Sequence, residues 1–134
     1  MGPSYRLSLF RRSVNIPAAG ASAVSPGAVD GGDLAPLLPA ILFYVQSPSL
    51  TAGQLPDGET ITYTLVEGND PAFASPTSST VMGVQTGAGG AGAAAAIFAA
   101  PGKFQGGKYV GLKITASAGA NAAGVSITLA IAQT

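Results

Sequence analysis

Few side chains in this chain are equipped for chemistry. It holds no His, no Cys and no Trp, which removes the commonest general bases, thiol nucleophiles and thiolate metal ligands at once. Carboxylates, lysines, hydroxyls and a run of glycines remain. Asp57 and Glu59 stand two apart at the entrance of an alternating segment, and paired carboxylates there can do acid–base work or bind a cation. Pro56-Asp57-Gly58 is also a turn signature in which Asp bonds its own backbone, and a solvated turn is the reading adopted. Asp30 and Asp33 flank Gly31 and Gly32, a calcium-like spacing without the remaining ligands, read as a flexible acidic loop. Ser and Thr are abundant, but with no His, and with Lys confined to the last third, no hydroxyl has an evident base.

The segment from Gly87 through Gly89 to Gly92 matches G-x-G-x-x-G and follows a candidate strand. In a dinucleotide site those glycines admit a pyrophosphate, and an acid about 20 residues on binds the ribose. No acid follows Asp70. The glycines are therefore expected to form a flexible hairpin loop or a close-packed backbone contact. No catalytic residue, cofactor or metal site is expected, and the chain is not expected to be an enzyme.

Charge is sparse and sorted. Of 134 residues 9% are charged, with a formal net charge of zero, against roughly a quarter in ordinary soluble domains. Arg6, Arg11 and Arg12 come first, then six acids from Asp30 to Asp70, then Lys103, Lys108 and Lys113; residues 71–102 hold no charge. Such a surface favours association with other protein, whereas nucleic acid requires a clustered basic surface. The basic trio is the best candidate for a partner contact, since the Arg fork pairs with carboxylates at interfaces; the competing reading is an ordinary solvated arm. Tyr5, Phe10, Phe73 and Phe104 lie near segment ends, as interface anchors or as caps on the ends of a sandwich.

The elements that must carry these groups are short. Ala supplies 25 residues of the hydrophobic 47%, while Val, Ile, Leu and Phe supply 32, which implies a real but thin core. Gly 19 and Pro 10 make turns frequent. No apolar run reaches the roughly 18 residues of a membrane helix, and Arg11 and Arg12 interrupt the stretch where a signal peptide would be apolar. Residues 1–40 lack a regular period and read as an extended N-terminal arm and loop, with room for one short strand over 5–10. Residues 41–134 read as a β-sandwich domain. Residues 41–46 suit a strand buried on both faces. Residues 59–66, 108–116 and 125–131 alternate apolar and polar, and 80–85 form a weaker strand interrupted by Gly83. Residues 91–100 are read as a small-residue strand, with a single helical turn as the competitor. Short alternating strands separated by turn clusters predict an all-β antiparallel sandwich or jelly roll.

Three stretches carry a resemblance. They are Leu55-Pro56-Asp57-Gly58-Glu59-Thr60-Ile61-Thr62-Tyr63-Thr64-Leu65, then Thr86-Gly87-Ala88-Gly89-Gly90-Ala91-Gly92, then Gly107-Lys108-Tyr109-Val110-Gly111-Leu112-Lys113-Ile114-Thr115-Ala116. In that order, with the terminal strand after them, they resemble the small capsid cement (decoration) proteins of tailed bacteriophages over roughly residues 41–134. The resemblance implies a jelly roll with no active site, assembled as a symmetric dimer or trimer on the capsid exterior, with the major capsid protein as partner and neither nucleic acid nor membrane bound. Arg6, Phe10, Arg11 and Arg12 are the expected partner contacts. The alternative reading is a virion or cell-surface sandwich that recognises carbohydrate or a receptor.

Overall fold

The computed structural model of the chain describes residues 7–24, 29–30, 41–70, 72–101 and 109–133. Among them lie strands β1 (Leu7–Asn15), β2 (Ser22–Val24), β3 (Val29–Asp30), β4 (Ile41–Ser47), β5 (Thr60–Gly68), β6 (Ser78–Thr86), β7 (Ala96–Pro101), β8 (Tyr109–Ala116) and β9 (Ser126–Gln133), with one 3-10 turn over Gly89–Ala91. The described residues contain no α-helix. Every strand pairing is antiparallel.

One sheet runs β1-β9-β4-β7 and the other β2-β8-β5-β6, with β3 also on β8. Because β2 meets residues 113–115 of β8 and β3 meets residues 109–110, the two are successive parts of one edge strand. Counted that way, the first strand pairs with the last, the second with the second last, and so inward to β5 and β6. Such a nested hairpin is rolled up when β9 also joins β4 and β8 also joins β5. The result is a jelly roll, the all-β sandwich expected from the alternating segments.

The core lies between the sheets. Val14, Val45, Ile61, Tyr63, Leu112, Ile114, Ile127 and Leu129 are buried in one cluster, joined by Leu50, Leu55, Ala120 and Ala122 from the connecting loops. The alternation that predicted β8 and β9 is the alternation that buries them: Leu112, Ile114, Ile127 and Leu129 face in, while Lys113, Thr115 and Thr128 keep part of their exposure. β-Branched and aromatic residues suit such half-buried pleats.

Some expectations shift. Pairing begins at Leu7, inside the segment read as an arm, and β1 stays on β9 to Asn15. β4 is not buried on both faces. Phe43, Val45 and Ser47 are buried and Tyr44 and Gln46 only half-buried, because a two-layer sandwich gives each sheet one inner face. In the alanine-rich segment the strand starts at Ala96, the residues before it being turned at Gly92, whose φ is 64°.

Candidate interaction surface

Asp57 and Glu59 are spent on holding loops together, while Asp33 lies outside the described residues. Glu59 accepts a hydrogen bond from the Ser117 hydroxyl at 2.5 Å and one from the Gly119 N–H at 2.9 Å. Ser117 in turn accepts from the Thr60 N–H at 2.9 Å. Donation by Ser117, then by Gly119, holds the Glu59 carboxyl below its ordinary range, with partial burial opposing. Asp57 accepts from the Gly89 N–H at 3.0 Å. The two carboxylates therefore serve different loops and form no shared pair.

The glycine motif resolves as a close backbone contact. A Cβ on Gly87 would strike the carbonyls of Leu55 and Pro56, and one on Gly92 would strike the Leu50 carbonyl. Both ends of the loop thus lie against residues 50–56, and the Gly89 N–H between them is taken by the Asp57 carboxylate.

A buried polar network spans the sheets nearby. The Tyr63 hydroxyl donates to Gln85 Oε1 at 2.6 Å, and Gln85 Nε2 donates to the carbonyls of Pro48 at 3.1 Å and Ala94 at 3.0 Å. Tyr63 is wholly buried and Gln85 is 4% exposed. Burial raises the Tyr63 phenol to about 12, with Ser47 pulling weakly the other way. Among the described residues no buried side-chain nitrogen or oxygen lacks a partner, so the interior holds no polar group aimed at a ligand. Gln85 fixes the chain just before β7 and is a residue that sequence reasoning passed over. Its one signal was a long polar side chain closing the Val81-Met82-Gly83-Val84 run.

The two sides of the sandwich formed by the described residues differ. On one side lie β1 and the β2–β3 edge. Phe10, Arg11 and Arg12 sit on β1, opposite Ile131, Ala130 and Leu129 of β9. Arg6 lies outside the described residues, as do Tyr5 and Phe104. Phe73 is buried beside Gly68, a cap on the fold.

On the other side lie β6 and β7, the two strands of the uncharged segment. The Phe98 ring of β7 rests on Gly83 of β6 and lies 5.8 Å from the Tyr63 ring, centroid to centroid. Outside this contact Val81 is 61%, Val84 42% and Ile97 68% exposed. A hollow of about 420 Å³, lined by Gln46, Ser47, Ala95, Ala96 and Ile97, opens beside β7. The absence of charge over residues 71–102 was legible in the sequence; that it belongs to two edges sharing one side was not.

Among the described residues no cluster of acidic side chains is arranged to hold a metal ion, and no helix is long and apolar enough to cross a membrane. Compared with protein-family models, curated proteins and solved structures, the chain matches none.

Proposed function

We propose that this chain is a structural virion protein, a capsid cement or decoration protein. It binds the outer surface of a phage head and stabilises the shell by bridging capsid subunits, with the major capsid protein and further copies of itself as partners. The observation that carries this reading is the uncharged side of the sandwich. Val81, Val84 and Ile97 stand exposed on edge strands, while Asp57, Glu59 and the buried polar side chains of the described residues are occupied within the fold. Large apolar side chains left exposed on uncharged edge strands favour protein contact. The sequence resemblance directs that contact to a capsid. Many copies on one shell make weak contacts effective together, and association also stabilises a thin core by binding only its folded form.

The test is co-sedimentation of the purified chain with phage heads lacking it, before and after shell expansion. Saturable binding to expanded heads, with greater resistance to heat, is the expected result. Heads that bind none in either state overturn the reading, and a saturable glycan-array signal in their place would move it to surface recognition. The contribution of Arg6, Arg11 and Arg12 is read from their triple substitution to Gln, because truncating the N-terminal segment also removes β1 from its sheet.

A further inference from the structure

The sandwich formed by the described residues has four edges, and three carry features that hinder a further strand. β1 breaks register between Ser8 and Phe10 and carries Arg11 and Arg12. β2 and β3 are short, and their register on β8 steps between Val24↔Lys113 and Val29↔Val110. β6 breaks register opposite Tyr63 and Thr64, leaving Met82 as the extra residue. Bulges, charges and short segments are the usual protections of an edge. β7 differs. It follows β4 in one unbroken register from Leu42↔Pro101 to Ser47↔Ala96, carries no charge and ends its sheet. Only Pro101, at its last position, limits the ladder.

We propose that β7 pairs antiparallel with β7 of a second copy of this chain, joining two sheets across a two-fold axis. A two-fold contact sets the same element of both molecules together, so any charge on it would meet its like; residues 71–102 hold none. The sizes also match. Phe98 packs toward the core beside Tyr63, so strand alternation puts Ile97 and Ala99 together on the outer face. An axis through Phe98 sets Ile97 against Ala99 of the second copy, twice, a large side chain over a small one. A polyanion or an acidic peptide would find no cation on this edge.

The inference deepens the proposed function by assigning its self-association to one strand, and it rests on that reading only in taking the working protein to be an oligomer. Sedimentation equilibrium of the full chain tests it without a capsid. Wild type is expected to form dimers, and Ile97→Lys to associate at least tenfold more weakly while keeping the wild-type thermal midpoint at dilutions where both are monomeric, since Ile97 is exposed. The native sequence has no cysteine, so single Ile97→Cys and Ala99→Cys chains, mixed and oxidised, report the register: the mixed dimer should cross-link in preference to either homodimer. A wild type that is monomeric or trimeric, an Ile97→Lys chain that associates as tightly as wild type, or preferential cross-linking of a homodimer each overturns the proposal. Head binding is scored separately. A wild type that dimerises through β7 yet ignores expanded heads defeats the cement reading alone, and a monomeric wild type that binds heads defeats the pairing alone.

Discussion

The ring of Phe98 rests on the backbone of Gly83, so closely that a Cβ at Gly83 would overlap the ring carbons. This contact locks β6 to β7 where the two sheets meet at their edges, and it explains a glycine inside a strand. Gly83→Ala must push the ring aside, at a cost of about 1–3 kcal/mol as for other overpacked sites. Urea denaturation should show that loss in wild type and a much smaller one in a Phe98→Ala background. Equal losses in both would mean that the ring is not what excludes the side chain.

The architecture was open to a reading of residues because β5, β8 and β9 alternate cleanly, with Ile61, Tyr63, Leu112, Ile114, Ile127 and Leu129 on the buried side. Pairing order was not. A period of two tells which face is wet, but nothing local tells β4 to lie between β7 and β9, since that choice is made by contacts far apart in the chain. Gly83 read as a weak point in a strand, whereas its reason lies in Phe98, on another sheet. The candidate surface was half legible for the same cause. Missing charge is a property of sequence, while the meeting of β6 and β7 on one side is a property of the roll.

The glycines of the G-x-G-x-x-G segment should behave unequally. Gly92 has φ 64° and ψ −133°, a conformation open mainly to glycine, and its missing side chain leaves room for the Leu50 carbonyl. Gly92→Ala should cost more than about 2 kcal/mol. Gly90, two residues earlier, has open space around it, and Gly90→Ala should fall within about 0.5 kcal/mol of wild type. Thermal melts of the two variants check the contrast. Near-neutral effects of both would mean that Gly92 is not held against the Leu50 carbonyl.

The Glu59 carboxylate gives the fold an acid-sensitive latch between the start of β5 and the loop after β8. Its pKa is lowered from 4.5, so the unfolded chain takes up the proton first and stability rises with pH through this region. The contribution is complete above 4.5 and is lost as pH falls through the lower, folded value. Denaturant midpoints measured downward from pH 6 should decline for wild type and decline less steeply for Glu59→Gln. Identical slopes would show that the carboxylate is free in solution.

At the alkaline end the described group with a displaced pKa is Tyr63. Its phenol is raised from 10.0 to about 12, chiefly because ionising it would bury a charge. The folded state thus holds the proton to higher pH than the unfolded chain does. Its contribution is complete below 10.0 and is lost as pH climbs toward 12, because the unfolded chain ionises first and is stabilised by doing so. Over that interval one such group lowers unfolding free energy by about 1.4 kcal/mol per pH unit. Unfolding curves collected between pH 9 and 12 should carry this slope in wild type. Tyr63→Phe should lose most of it, although the variant will be less stable at neutral pH because Gln85 Oε1 loses its donor. The two effects separate cleanly, since the lost hydrogen bond shifts the whole curve and the lost titration changes its slope. A Tyr63→Phe chain that falls with pH as steeply as wild type would place the alkaline sensitivity elsewhere and leave the buried Tyr63–Gln85 pair without its thermodynamic signature.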